Sequence, residues 1–124
     1  MKPTKKQRCL VKKWVNKWRP RLFLGEWFFH LRYSNEDVEP AAEISVNVPY
    51  MDAEIIIHPK FWSRDLKDQE HAIVHEMCHC HTEPSYASHV NMLNFKVVTL
   101  DYVELIREQL TQRIANIAFQ QEWK

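Results

Sequence analysis

His75-Glu76-Met77-Cys78-His79 sets two imidazoles four residues apart, with a carboxylate directly after the first. On a helix that spacing puts both rings on one face, one turn apart. Two such nitrogens can each approach one zinc ion at about 2.0–2.1 Å. Glu76 stands about 100° round the helix from His75, too far to serve readily as a third ligand of the same ion but within reach of a water bound to it. Two ligands and a general base from one rigid turn suit zinc-assisted hydrolysis of an amide. Zinc lowers the pKa of its water, Glu76 takes a proton as that water attacks a carbonyl, and the same carboxyl then protonates the leaving amine. Two of the five positions are unrestricted, so the reading depends on what surrounds the string.

A catalytic zinc takes three protein ligands and a water. Glu104 and Glu108 lie four apart on one face of the last predicted helix, and Glu104 follows His79 by 25 positions, room for a loop and a returning helix. Glu104 is the expected third ligand, and Glu108 the support that hydrogen-bonds a ligand histidine or replaces Glu104 as ligand. His89 is a rival ligand; His81, Glu83 and Asp101 also compete. His71, one turn before His75 on the same face, could support a ligand or simply be exposed, and exposure is the expectation. Tyr86 and Tyr102 are available to stabilise an oxyanion, or are simply core aromatics. Cys78 and Cys80 make a Cys/His-rich string that could suggest a structural metal module, but on a helix they diverge by about 200° and cannot share one ion.

Several elements must position these groups. Residues 4–18 predict a helix whose Leu10, Val11, Trp14, Val15 and Trp18 form one apolar stripe, with lysines opposite and Pro20 ending the run. Residues 25–34 predict a strand. Residues 42–48 alternate, with Ile44, Val46 and Val48 against Glu43, Ser45 and Asn47, as in a half-buried strand. Residues 53–59 predict a third strand, paired with the second in an antiparallel hairpin; its Ile55-Ile56-Ile57 run is expected at an edge beside the zinc, open to an extended peptide. Residues 65–81 predict the helix that carries the motif, with Leu66, Ile73, Val74, Met77 and Cys78 on its apolar face and Pro84 closing it. Residues 89–120 predict one helix or two, with a capping box of Asp101 and Glu104 and a break near 99–101. Strands grouped before helices favour an α+β class.

The 124 residues suffice for one domain with a core, the hydrophobic fraction being 45%. No apolar run approaches the roughly 18 residues of a membrane span, and the first residues lack the apolar core of a signal peptide. Three cysteines, two of them two positions apart, do not make a disulfide framework. A cytoplasmic protein is expected. Residues 1–25 hold nine of the 17 basic residues and no acid, while the remaining 99 hold eight basic and all 16 acidic residues, a net of −8. Such a segment, residues 2–21, could contact nucleic acid or another anionic surface; it could equally be a solvated helix face that pairs with the acidic body.

His75-Glu76-Met77-Cys78-His79 with Glu104 downstream resembles a zincin, specifically a minimal gluzincin-type metallopeptidase of the kind that phages and mobile elements encode. The likeness spans about residues 22–120. Glu104-Leu-Ile-Arg-Glu108 is similar to the glutamate-x-x-x-aspartate pattern of thermolysin-like gluzincins, with Glu in place of Asp. The resemblance implies a zinc peptidase acting on a peptide or protein, with His75, His79 and Glu104 as ligands, Glu76 as base and Glu108 supporting a histidine. In a phage-encoded protein, the compartment would be the host cytoplasm. SprT-like proteases are a neighbouring resemblance that would favour a histidine such as His89 as ligand, but their downstream histidine-glycine motif is missing, since Gly25 is the sole glycine. The expected architecture is a single zincin-like α+β domain over 1–124: a basic N-terminal helix, a mostly antiparallel three-stranded sheet, the motif helix and a C-terminal helix. A non-catalytic zincin-fold protein that binds a host protein or nucleic acid is the rival to the enzyme.

Overall fold

The computed structural model describes residues 2–94 and 100–122, and for residues 84–94, 100–103, 121 and 122 the backbone alone. The order is helix α1 (Lys5–Arg21), strands β1 (Phe28–Tyr33), β2 (Ala42–Asn47) and β3 (Asp52–Ile57), then helices α2 (Leu66–Asn94) and α3 (Leu100–Glu122). Short 3-10 turns occupy Val48–Tyr50 and Pro59–Ser63. The class is α+β, as expected.

The sheet is mixed rather than mostly antiparallel. Its order is β1-β3-β2, with β3 parallel to β1 and antiparallel to β2. The expected β2–β3 antiparallel pairing is present, but β3 is the central strand and not an edge. The cause lies in its composition. A run of three isoleucines buries side chains on both faces, which only a flanked strand can do; Ile55, Ile56 and Ile57 are all buried. Three inward rows cross the sheet in register: Phe29, Ala53 and Val46; Leu31, Ile55 and Ile44; Tyr33, Ile57 and Ala42. They meet the helices in one core with Trp18, Leu24, Phe61, Ile73, Val74 and Met77.

Helix α1 starts at a capping box, in which Thr4 Oγ1 accepts from the Gln7 N–H at 3.1 Å and Gln7 Oε1 accepts from the Thr4 N–H at 2.8 Å. Pro20 does not end it. Proline lacks an N–H and normally stops a helix interior, but here it falls in the last turn; the helix runs on to Arg21 and closes with the Leu22 N–H on the Trp18 carbonyl at 2.9 Å. The stripe Val11, Trp14, Val15 and Trp18 is buried, and Leu10 partly so. A buried carboxylate ties α1 to α2: Glu70 Oε2 accepts from Trp18 Nε1 at 2.7 Å and from Lys17 Nζ at 2.8 Å.

Helix α2 continues through Pro84 to Asn94, so the proline that was expected to close it lies inside. The loss of one backbone donor there does not outweigh the docking of the preceding turns. Ile73, Val74, Met77, Cys78 and Cys80 are buried, whereas Leu66, at the first turn, stands clear of the core and is exposed. The second helical region does not start anew at residue 89: residues 89–94 continue α2, α3 covers Leu100–Glu122, and the expected break near 99–101 falls partly on residues 95–99, which lie outside the described ones. The side chain of Asp101, half of the expected capping box, is outside the described residues.

Candidate metal centre

The pentapeptide lies mid-helix in α2, where its neighbours anchor it. Ile73, Val74, Met77 and Cys78 pack into the core, leaving His75, Glu76 and His79 turned toward β2 and α3. The ligand atoms of these three residues lie within 4.8 Å of one another and could hold a metal ion. The His75 and His79 ring centroids are 5.3 Å apart.

Glu108 reaches across from α3 to both rings. Its Oε2 lies 3.3 Å from His75 Nε2 and its Oε1 lies 3.4 Å from His79 Nε2. Glu76 Oε2 is farther, 4.0 Å from His79 Nε2. Glu108 thus makes the shorter contacts to both rings, and Glu76 lies beside them. Glu104, one turn earlier on α3, is exposed, and no hydrogen bond or ion pair among the described residues joins it to either histidine. The side chains of His89, Tyr86 and Tyr102 lie outside the described residues. Glu83 contacts the far nitrogen, 3.5 Å from His79 Nδ1. His81 points away, its Nε2 bonding the Leu22 carbonyl.

Supporting groups hold the rings. Thr111 Oγ1 lies 3.4 Å from His79 Nδ1 and 2.9 Å from Thr82 Oγ1, and donates to the Arg107 carbonyl at 2.8 Å. Both threonines are buried. Arg107 joins Glu83 and Glu108, at 3.7 Å from each. Gln112 lines the cavity beside His75, its Nε2 donating to Asn116 Oδ1 at 2.6 Å. None of Thr82, Arg107, Thr111 or Gln112 was singled out by its sequence position. Thr111 and Gln112 are readable only in hindsight, as the positions three and four beyond Glu108 that share its face. His71 is not free in solvent as expected: it is half-buried and stacks on Phe119 with ring centroids 4.7 Å apart.

Burial sets the protonation states. It lowers the pKa of His75, and the neighbouring His79 lowers it further against the pull of Glu108. Metal binding requires the neutral imidazole that this favours. Burial also pushes the Glu76 carboxyl up to about 8, with Glu108 and Glu43 adding to the shift and Arg107 opposing it. Cys78 and Cys80 belong to the core. Burial pushes both thiols up to about 12, so neither supplies the thiolate that a metal would need.

No protein-family model matches the chain, and comparison with curated proteins and with solved structures gives no match. The geometry of the centre is therefore what informs its chemistry. A cleft of about 490 Å³ opens over it, walled by Ala42, Glu43 and Ile44 of β2, by the motif residues, and by Arg107 and Glu108 of α3. A second cavity of about 160 Å³ adjoins it beyond His75, between Ala41, Arg64, His71 and Gln112. The edge strand beside the centre is β2, not the isoleucine strand.

Proposed function

We propose that the chain is a zinc-dependent metallopeptidase with a zincin-like arrangement, in which His75, His79 and Glu108 hold zinc and Glu76 is the general base. One observation carries this reading. Ligands about 2.0–2.1 Å from a tetrahedral ion stand about 3.3–3.4 Å from each other. The Glu108 carboxylate straddles the two imidazoles at about that spacing, Oε2 at 3.3 Å from His75 Nε2 and Oε1 at 3.4 Å from His79 Nε2. Zinc bound there would supply Lewis acidity and a water of lowered pKa.

The other steps belong to the protein. The free edge of β2 offers backbone N–H and C=O groups to an extended peptide, which aligns its carbonyl over the cleft. Glu76 accepts the proton of the attacking water and delivers it to the departing amine. Positive charge held by the ligand set would draw Glu76 toward the carboxylate that this role needs. Thr111 and Glu83 orient His79. The three cysteines are free, in keeping with a reducing, cytoplasmic setting. Among the described residues no helix is long and apolar enough to cross a membrane.

The deciding experiment measures zinc content and cleavage of a peptide library by mass spectrometry on the same sample. One zinc per chain is expected, with cleavage that Glu76→Gln lowers by at least about 100-fold while zinc is retained. Stoichiometric zinc with no cleavage of peptides or proteins would instead support the non-catalytic interaction protein.

A further inference from the structure

We propose that the exposed face of α1 binds the phosphate backbone of a nucleic acid, at the sheet edge remote from the metal centre. The acidic body does not neutralise this face. Lys17 pairs with the buried Glu70, but Lys2, Lys5, Lys6, Arg8, Lys12 and Lys13 are exposed and form no ion pair among the described residues. The arrangement is electrostatically unfavourable for the protein alone. The first turn of α1 contains no acid, and Lys5 and Lys6 sit at the positive end of the helix dipole. Lys5, Arg8 and Lys12 follow one another at helical neighbour spacing, so like charges stand side by side. A bound polyanion relieves both penalties, and the counterions it releases drive association.

The row is also shaped. Lys5, Arg8, Cys9 and Lys12 form one wall of a groove of about 250 Å³ whose other wall is Leu31 and Tyr33 of β1. The groove surface is almost wholly apolar, built from the stems of these side chains with Leu31 and Tyr33, so it suits sugars and bases while the exposed cationic ends meet the phosphates. The capping box of Thr4 and Gln7 fixes the start of the helix, so the charges are presented rigidly. A membrane surface fits less well. An interfacial helix inserts its apolar stripe into lipid, whereas Val11, Trp14, Val15 and Trp18 are already buried in the core. The groove lies against β1 and the metal centre against β2, the two opposite edges of the sheet, and they share no residue. Occupancy of one therefore leaves the other open.

The test titrates the zinc-loaded full chain into fluorescently labelled single- and double-stranded oligonucleotides of unrelated sequence, following anisotropy from 50 to 200 mM salt. About five phosphate contacts on a duplex would weaken binding by about 500-fold across that range, with little dependence on sequence. The triple variant Lys5→Glu, Arg8→Glu, Lys12→Glu should lose at least about 100-fold in affinity at low salt, while Arg113→Glu, an exposed cation on α3 that does not line the groove, loses far less. Unchanged zinc content and melting temperature in the triple variant show that it folds. Failure of either oligonucleotide to bind at 50 mM salt, or equal binding by the triple variant and wild type, would overturn the proposal. So would binding to phosphatidylserine vesicles without binding to oligonucleotides, which would assign the face to lipid.

Discussion

The Glu108 carboxylate meets His79 Nε2 at 3.4 Å across the α2–α3 interface, and its second oxygen meets His75 Nε2 at 3.3 Å. One side chain of α3 thus closes a three-sided donor set on α2, at the turn where α3 buries Thr111. Glu104 carries the same chemistry one turn away and is exposed like Glu108, but no contact among the described residues joins it to either imidazole.

The two glutamates should separate in metal affinity. Glu108→Ala is expected to weaken zinc binding by about 100-fold or more, beyond the 10–100-fold typical of outer-shell losses. Glu104→Ala should leave it within about twofold. Competition against a chromogenic chelator reads both; a larger loss from Glu104→Ala would return the third-ligand role to that residue.

Thr111 acts through His79. Thr111→Val removes the hydroxyl beside Nδ1 and leaves Thr82 Oγ1 only the longer 3.4 Å bond to the His79 carbonyl, so zinc affinity should fall by about 10-fold. Thr111→Ser, which keeps the hydroxyl, should restore most of it. The same chelator competition applies, and equal losses in both variants would mean that the methyl group matters rather than the hydrogen bond.

Metal-free protein should lose stability as pH rises. Glu76 has a folded pKa near 8, above its ordinary value of 4.5, so folding favours the neutral acid. That contribution is complete below about pH 4.5 and is lost progressively as pH rises toward 8. Melting temperatures in the presence of chelator should therefore decline over that window, and Glu76→Gln, which has no proton to lose, should flatten the decline.

Thiol chemistry should distinguish the cysteines. Cys9 is exposed, whereas Cys78 and Cys80 are buried with thiols pushed to about 12. Alkylation of the native protein at pH 8 is expected to label Cys9 alone, with all three labelled in denaturant. Replacing Cys78 and Cys80 by Ser should leave zinc stoichiometry unchanged; loss of the metal would place a thiolate in the centre.

Glu70 should matter for stability and not for metal. Glu70→Ala removes two hydrogen bonds and strands the indole N–H of Trp18, a residue 2% exposed. A loss of about 2–4 kcal/mol in urea unfolding is expected, with zinc affinity retained.

Much of the molecule is legible in local sequence. Four-residue spacing puts His75 and His79 on one helix face, and Glu76 beside them, wherever that helix docks. Alternation from Ala42 and the apolar stripe from Leu10 define element types and inward faces, because periods of 2 and 3.6 follow from backbone geometry alone. What depends on tertiary structure is the placement of elements against one another. Glu104 and Glu108 share a helix face, so periodicity cannot choose between them; the longitudinal register of α3 against α2 does, and it is set by how buried Thr111, Ala115 and Phe119 seat in the core. Strand order is decided in the same way. The isoleucine strand is drawn to the centre of the sheet because both of its faces must be covered, and β2 becomes the edge beside the centre. Pro84 is a stop signal by local rules, yet α2 passes through it to Asn94. Local rules count one lost backbone donor, whereas the turns before it are held by the burial of Ile73, Val74, Met77 and Cys78.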